Sequence, residues 1–262
     1  MKLTIIILTH NNQDVIKGCL DSIKITDEII IIDDHSTDDT LKIAQPYKPK
    51  IISRKLDNFA QQRNFAVQQA KTPWIFFLDV DERITPALSG EIKQTLENPQ
   101  NSAYQMKRLN YFFGQSMKHG GYWPDWQTRL FKLKDFKKFT GTIHESLHFQ
   151  GSLGKLKHHL IHFSHKNLAE GLRKSIFWTK KEAQAFIKAG HSPITWWRII
   201  KVMLWEFCYR FFKKKAFLHG YVGFTESLIQ AINRYFVYQQ IWEMQQQPSL
   251  KEKYQQLDKK IT

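Results

Sequence analysis

The residues with the most evident chemistry form an acidic cluster after an apolar run. Residues 74–78 are five consecutive apolar residues, and Asp79, Asp81 and Glu82 follow them, a pattern typical of a buried strand that ends in carboxylates. Alternate residues of a regular strand point to opposite faces. We therefore expect a bend beyond the strand, where Glu82-Arg83 begins a polar loop, to bring both aspartates to one site. Such oxygen ligands suit Mg²⁺ or Mn²⁺ shared with substrate phosphates, whereas the simpler interpretation is an acidic turn.

Alternating strands and helices are predicted to position this cluster. Strands at 3–8, at 28–32, from 51 and at 74–78 alternate with helices at 11–22, after a cap at Ser36 or Thr37, and at 58–70. This order predicts a parallel sheet with helices on both faces, whose ligands bind at the carboxyl ends of the strands. The segments 9–11, 33–34 and 79–81 all fall at those ends, so we expect them to share one site.

Composition limits the class of protein. The chain has 262 residues, of which 42% are hydrophobic and 14% aromatic, which favours a packed core over disorder. Cys19 and Cys208 lie far apart in the sequence, so we expect reduced, buried thiols of a cytosolic protein and neither a disulfide nor a cysteine-type zinc site. The apolar run at the start is too short for a signal peptide and predicts a first strand.

The formal charge of +15 is unevenly distributed. Residues 1–100 contain 12 Lys and Arg against 14 Asp and Glu, and the remainder contains 27 against 10. The basic part predicts an anionic partner, whether nucleic acid, acidic lipid or a phosphorylated acceptor. The sign of the charge alone does not choose among these partners.

The C-terminal part is predicted to be helical. Residues 168–189 repeat apolar residues with helical spacing. Residues 194–215 combine Trp and Phe with a fringe of Lys and Arg, and their charges make a membrane span unfavourable. The pattern favours a helix that lies in the interface of an anionic membrane, and the alternative is a helix packed across the sheet domain. A further helix at 222–247 and a polar tail at 248–262 complete the prediction.

Two further patterns leave alternatives open. His158, His162 and His165 have a spacing that would align them on a helix, as in a metal site, although surface or core histidines are the default interpretation. Aromatic residues and glycines are dense in 106–151. They could form a platform for a ligand, with the glycines marking a mobile loop or hairpin over it, or most of the rings could belong to the core.

Several spaced motifs together resemble the family 2 glycosyltransferases of the GT-A fold. The matching segments are Thr4–Asn11, Ile29–Thr40, Gln62–Asn64 and Leu78–Glu82. Within that family the chain is most similar to the lipopolysaccharide-core group, which includes the β-1,4-glucosyltransferases that act on heptose. That similarity rests on two later segments, Trp123–Phe131, with one residue fewer after the Trp, and Gly141–Glu145. The resemblance extends from residue 3 to about residue 240, and Asn12 departs from the Glu that many members of the group have there.

The resemblance implies an α/β fold: a GT-A, Rossmann-like, mixed and mostly parallel sheet flanked by helices, with a C-terminal helical extension. It implies a catalytic domain for nucleotide-sugar and acceptor at 1–165. Residues 166–262 would form a helical, basic extension that associates with membrane.

The resemblance also implies roles for individual residues in donor binding. Thr9 and Asn11 would hold the base and ribose of a nucleotide-sugar, and Asp34 would contact the base or ribose. Arg63 would lie near the diphosphate. Asp79 and Asp81 would hold the ribose and the metal, Mg²⁺ or Mn²⁺, with Asp81 the better metal ligand; His144 or His162 could complete the metal shell.

Members of this family invert the anomeric centre in one displacement, so a carboxylate must take the proton of the acceptor hydroxyl. Glu145 and Asp125 are the candidates. We favour Glu145, which follows His144 in a short segment after an aromatic-rich loop. The structural alternative is that Glu145 forms an ion pair with Arg129.

The resemblance, together with the strand-end carboxylates, implies an inverting, metal-dependent glycosyltransferase. It would move a hexose, glucose from UDP-glucose, to a lipopolysaccharide core, glycolipid or other envelope glycan on the cytoplasmic face of the cytoplasmic membrane, with no nucleic-acid partner. The alternatives are a non-catalytic membrane- or nucleic-acid-binding protein and a sugar nucleotidyltransferase. No glycine follows the first strand, which counts against the phosphate loop that a nucleotidyltransferase usually has.

Overall fold

A computed structural model describes residues 2–141 and 145–261. Its central sheet begins with four parallel strands, β1 (Leu3–Thr9), β2 (Glu28–Asp33), β3 (Lys50–Ser53) and β4 (Trp74–Phe77), in the order β3-β2-β1-β4. Isoleucines dominate β1 and β2 and are buried on both faces, as expected for strands covered on both sides. The predicted positions of these strands are confirmed.

Helices cover both faces of the parallel half. They are α1 (Gln13–Asp21), α2 (Thr40–Ala44), α3 (Phe59–Gln69) and α4 (Pro86–Glu97). Asn58 caps α3 by accepting a hydrogen bond from the Gln61 amide at 2.9 Å, as a residue before a helix commonly does. The prediction that Ser36 or Thr37 caps a helix is wrong, because the Asp33 carboxylate accepts from the Ser36 amide and hydroxyl and α2 begins only at Thr40.

The second half of the sheet contains antiparallel strand pairs. Its strands are β5 (Glu82–Ile84), β6 (Ala103–Phe112), β7 (Gln115–Ser116), β8 (Asp125–Lys132) and β11 (Leu153–His165). Between β8 and β11 the chain forms a separate two-stranded hairpin of β9 (Phe136–Thr140) and β10 (Ser146–Phe149). Across the described residues nine strands form one sheet, in the order β3-β2-β1-β4-β8-β6-β11-β5 with β7 beside β6. Strand β8 runs antiparallel to both β4 and β6, and β11 runs antiparallel to β5. The mixed sheet confirms the predicted fold class.

Two local predictions in this half are wrong. Glu82-Arg83 belongs to β5 and not to a polar loop, because β5 pairs with β11 and buries Glu82. His158, His162 and His165 lie on β11, so they cannot share a helix face. The strand β11 has 13 residues and contains all three histidines, so their helix-like spacing is a coincidence.

The described residues form two compact units. One comprises the chain up to Tyr111 together with Tyr122–Ser164, and the other comprises Phe112–Gly121 and the chain from His165 onward. The assignment of catalysis to residues 1–165 and of membrane association to residues 166–262 stays a prediction.

The second unit is helical, with α5 (Leu168–Lys188), α6 (Trp196–Cys208), α7 (Gly220–Met244) and α8 (Leu250–Ile261). The Arg234 guanidinium donates to both oxygens of Glu182, at 2.8 Å each, and joins α7 to α5. The predicted polar tail is polar and mostly exposed, and it forms α8. Ser249 and Glu252 make a reciprocal capping box at the start of this helix, which satisfies backbone amides that a helix end otherwise exposes.

Two further observations concern the helices. Within the described ranges, no helix is both long enough and apolar enough to cross a bilayer. Cys19 is buried as expected, but Cys208 at the end of α6 is exposed, because α6 presents much of its surface to solvent.

Candidate active site

The loops that follow β1 and β2 are joined by hydrogen bonds at the carboxyl edge of the sheet. The Asn11 amide donates to the Ser36 hydroxyl at 2.9 Å, and the Thr37 amide donates to Asn11 Oδ1 at 2.7 Å. Asn11 adopts a left-handed conformation with φ of 52°, which asparagine tolerates better than most residues. The Thr9 hydroxyl donates to Asn12 Oδ1 at 3.0 Å. Both predicted nucleotide-binding side chains therefore also shape the loop.

Asp34 lies at the same edge. Its Oδ1 accepts from the Leu56 amide at 2.8 Å, and its backbone carbonyl oxygen lies 2.6 Å from His10 Nδ1. Asp34 thus connects the loops after β1, β2 and β3. The neighbouring Asp33 is buried and holds the turn through Ser36, whereas Asp34 is half-buried.

Two arginines engage the carboxylate of Asp79. Arg63 donates to Oδ1 at 3.0 Å, and Arg129 donates to Oδ2. Burial raises the pKa of Asp79, but Arg129 and Arg63 outweigh it and hold that pKa well below its usual range. The predicted residue Arg63 is therefore brought to Asp79, with its guanidinium also 4.8 Å from the centroid of the Phe77 ring.

The ion pairs continue from Asp79 into the sheet. Arg129 donates to Glu82 Oε1 at 2.6 Å, Arg108 donates to the same oxygen at 3.3 Å, and Arg108 Nε donates to Asp125 Oδ2 at 2.7 Å. Positive and negative groups thus alternate along one chain, which we call the ion-pair chain: Arg63, Asp79, Arg129, Glu82, Arg108 and Asp125. Glu82 is 0% exposed, and a carboxylate so buried requires charged partners of this kind.

Asp81 faces a histidine whose tautomer is fixed by its neighbour. His162 Nε2 lies 3.4 Å from Asp81 Oδ2, and His162 Nδ1 lies 2.6 Å from Asn110 Oδ1. The amide nitrogen of Asn110 donates to Asp125 Oδ2 at 3.2 Å and to the Tyr122 carbonyl at 3.3 Å. This network leaves Asn110 Oδ1 as an acceptor, so His162 Nδ1 carries a proton. In the neutral ring Nε2 then directs its lone pair toward Asp81.

A carboxylate and an imidazole lone pair that face each other can together bind a metal ion. Asn110 supplies the support that a metal-binding histidine normally has behind it. Among the described residues no three His, Cys, Asp or Glu cluster as a metal site. Mg²⁺ and Mn²⁺ nevertheless often take only one or two protein ligands and complete their shell with phosphates and water. Asp81 and His162 fit that pattern, whereas the guanidiniums occupy both oxygens of Asp79.

Asp125 is held by donors on both of its oxygens. Oδ2 accepts from Arg108 and Asn110, and Oδ1 accepts from Gln127 at 2.7 Å. Burial raises the pKa of Asp125, but Arg108 and these hydrogen bonds lower it further than burial raises it. A carboxylate so stabilised is a weak proton acceptor, and its contacts instead position Arg108 and Asn110.

Glu145 lies immediately before β10 and is half-buried. The hairpin of β9 and β10 is anchored on α3, because the Asn64 amide donates to the Phe139 carbonyl at 3.0 Å and the Phe139 amide donates back to Asn64 Oδ1 at 2.7 Å. Arg63, the neighbour of Asn64, contacts Asp79. One turn of α3 thus supports both the Asp79 carboxylate and the hairpin that carries Glu145. His144 lies outside the described residues, and Arg129 contacts Asp79 and Glu82 as described above.

The sequence analysis placed Glu82 in the acidic cluster but gave it no role, and it did not assign Arg108, Asn110 or Arg129 to the site. The sequence did indicate that the charged residues are buried, because each lies in or beside an apolar strand. Arg129, for example, directly precedes Leu130 and Phe131. A charged residue in a buried strand requires a partner. The sequence does not say which partner, because Arg129 and Asp79 are 50 positions apart.

Comparisons with known proteins identify the family. The model of the glycosyl transferase family 2 matches residues 4–157. An uncharacterised glycosyltransferase of Rickettsia prowazekii is 28% identical over 248 residues, which cover 89% of this chain and 84% of that protein. The lipopolysaccharide core biosynthesis glycosyltransferase LpsC of Rhizobium meliloti is 23% identical over 256 residues, 93% of each chain.

Two solved structures of glycosyltransferases align with the chain at low identity. S. aureus TarS 1-349 in complex with UDP-GlcNAc aligns with a TM-score of 0.46 and 14% identity, over 98% of this chain and 92% of that one. The glucosyl-3-phosphoglycerate synthase of Mycobacterium tuberculosis in complex with Mn²⁺ and UDP aligns with a TM-score of 0.36 and 18% identity, over 42% and 44%. The family match spans more than half of the chain and includes the strand-end carboxylates. This chain is a glycosyltransferase and belongs to the glycosyl transferase family 2.

Proposed function

We propose that the protein is an inverting, metal-dependent hexosyltransferase. Its donor is UDP-glucose, and its acceptor is a lipopolysaccharide core, a glycolipid or another cell-envelope glycan. The observation that carries the proposal is the pairing of Asp81 with His162 at 3.4 Å, with the ring oriented by Asn110. The similarity to LpsC of Rhizobium meliloti supports this class of acceptor.

The donor would lie along the carboxyl edge of the parallel strands. The loops that contain Thr9, Asn11 and Asp34 would receive the base and ribose, because they form the edge nearest the nucleotide in folds of this type. Asp81 and His162 would hold Mg²⁺ or Mn²⁺, and a metal ion held there would supply positive charge to the leaving diphosphate. Arg63 adds positive charge beside Asp79, where it would stabilise the same developing charge.

The acceptor hydroxyl requires a base on the opposite side of the sugar from the diphosphate. We assign that role to Glu145, which would take the proton while the hydroxyl oxygen displaces the diphosphate at the anomeric carbon. A single displacement of this kind inverts the configuration. Asp125 is less suited because Arg108, Asn110 and Gln127 already donate to its carboxylate.

We also propose that the protein acts at the inner face of the cytoplasmic membrane. Trp196, Trp197 and Trp205 on α6 are 60%, 65% and 60% exposed, and the basic run 213–215 follows shortly after this helix. Aromatic rings beside lysines suit the interface of an anionic bilayer. A lipid-linked acceptor would be found at such a surface.

The direct test is release of UDP from UDP-glucose by the purified full chain. The assay would include Mn²⁺ and a heptose-containing core oligosaccharide, and it would compare Asp81→Asn with the matched control Asp14→Asn on the exposed face of α1. We expect acceptor-dependent UDP release by the wild type and the control, and its loss in Asp81→Asn. Release that is undiminished by a chelator would contradict the metal-dependent mechanism. Absence of release with UDP-glucose would contradict the proposed donor.

A further inference from the structure

A cluster of lysines and indole rings lies on β6, β8, β11 and the segment before β8. Lys107 Nζ lies 5.4 Å from the ring centroid of Trp123 and 5.6 Å from that of Trp126. Lys155 Nζ lies 5.1 Å from the Trp126 centroid. These four residues, which we call the Lys–Trp patch, are half-buried except for the exposed Lys155. Two ammonium groups are therefore held around a single indole ring.

The Lys–Trp patch faces away from the ion-pair chain. Lys107 on β6 lies directly opposite Trp126 on β8. The next pair along the same strands is Arg108 and Asp125, which belong to the ion-pair chain. Because successive residues of a strand point to opposite faces, the patch is a separate site that is connected to the active site through the backbone of β8.

Carboxylates are few near the patch, although Glu91 on α4 accepts from the backbone amides of Lys157 and His158 on β11. Strands β6, β8 and β11, all described in full, contain a single carboxylate, Asp125, and it points to the other face. Indole rings attract ammonium groups through their negatively polarised faces. They do not cancel the mutual repulsion of two cations, whereas an anion between them does. A compact anionic group beside the two lysines would reduce their mutual repulsion.

We propose that the Lys–Trp patch binds a phosphate or carboxylate group carried by the acceptor glycan. The inference rests on the proposed function. It specifies the chemical class of the acceptor, which would be a negatively charged glycan of more than one sugar. The sugar that receives the hexose would lie at the active site, and a remote acidic group would contact Lys107 and Lys155. Binding of a remote group can serve to orient the reacting hydroxyl.

The test measures binding to the purified full chain by titration NMR, in the absence of any donor. The probes are methyl glucoside, glucose 6-phosphate, methyl glucuronoside and inorganic phosphate. We expect the two charged sugars to bind at least about tenfold more tightly than methyl glucoside, and more tightly than inorganic phosphate. The Lys107→Ala/Lys155→Ala variant should lose this preference, and the Lys107→Arg/Lys155→Arg variant should retain it.

The matched control is Lys71→Ala/Lys93→Ala, which removes two exposed lysines elsewhere in the same unit. Equal affinity for charged and neutral sugars overturns the inference, as does a preference that survives the Lys107→Ala/Lys155→Ala change. Equal affinity for inorganic phosphate and glucose 6-phosphate overturns the assignment to a glycan. If the alanine variant does not fold, Lys107→Gln/Lys155→Gln replaces it.

The two proposals can fail separately. A protein that releases UDP from UDP-glucose but shows no preference for charged sugars overturns this inference alone. A protein that prefers charged sugars but releases no UDP overturns the proposed function.

Discussion

Asn110 Oδ1 lies 2.6 Å from His162 Nδ1, and this contact determines which ring nitrogen faces Asp81. The amide nitrogen of Asn110 contacts Asp125, so the ion-pair chain and the candidate metal ligands share one hydrogen-bond network. Asp125, which the sequence offers as a catalytic base, thereby helps to orient the ring of His162.

The first prediction concerns the support behind His162. Asn110→Leu removes the acceptor for Nδ1, which frees the ring to rotate and to change its tautomer. Loss of such a partner typically lowers metal affinity or activity by about 10–100-fold. Titration of Mn²⁺ into the protein with UDP measures the change, and the control is Asn98→Ala at an exposed residue just after α4. Unaltered Mn²⁺ affinity in Asn110→Leu would exclude His162 as an oriented ligand.

The second prediction separates the two candidate bases. Glu145→Gln should bind the donor as the wild type does, yet transfer should fall by about 10²–10⁴-fold, which is the usual contribution of a general base. Asp125→Asn should retain more transfer than Glu145→Gln. The measurement is single-turnover transfer at saturating donor. The assignment is reversed if Asp125→Asn shows the larger loss.

The third prediction concerns the buried ion pairs. Arg129→Met leaves Glu82, which is 0% exposed, without its closest cation. Breaking a buried pair in this way typically lowers the free energy of unfolding by about 3–5 kcal/mol. Urea unfolding measures the loss, with Lys134→Met on the surface as the control.

A double variant checks the cause of that loss. Arg129→Met combined with Glu82→Gln should recover part of the free energy of unfolding, because the uncompensated charge is removed. No recovery would show that Arg129 stabilises the protein by packing and not by charge.

The parallel half of the fold was predictable because its strands are short apolar runs, each followed by polar residues. Segments such as Ile29–Ile32 carry that signal locally, and the edge at which Asp34 and Asp79 lie follows from the alternation of strands and helices. The spacing of histidines gave a wrong prediction. His158, His162 and His165 have the spacing of one helix face, yet they lie on the strand β11.

The start of α8 could be predicted from the sequence, whereas the long-range partners of Arg129 and His162 could not. The capping pattern of Ser249 and Glu252 marks the start of α8 and was available in the sequence. The partners of Arg129 and of His162 were not available, because Arg129 reaches Asp79 across 50 residues and His162 reaches Asn110 across 52. Local patterns carry no information on contacts at such separations, so the candidate ligands were predictable and their orientation was not.

The fourth prediction concerns the exposed rings of α6. Replacement of Trp196, Trp197 and Trp205 by Ser should weaken binding to vesicles that contain anionic lipid, because aromatic side chains at the interface contribute much of the affinity of such helices. Vesicle co-sedimentation measures it, and Tyr254→Ser/Leu257→Ser on the exposed face of α8 is the control. Equal sedimentation of the α6 variant and the wild type would exclude α6 as the membrane-binding surface.

The measurement that tests the central claim most directly is thermal unfolding with UDP, GDP, CMP and their sugars, each with and without Mn²⁺. A ligand that binds only the folded state stabilises it by about 2.7 kcal/mol when present at about 100 times its Kd. We predict that UDP and UDP-glucose stabilise the wild type only with Mn²⁺, and that Asp81→Asn removes this effect while the variant stays folded. Stabilisation that does not depend on Mn²⁺, or that Asp81→Asn preserves, would contradict the assignment of Asp81 and His162 to a metal that holds the nucleotide diphosphate.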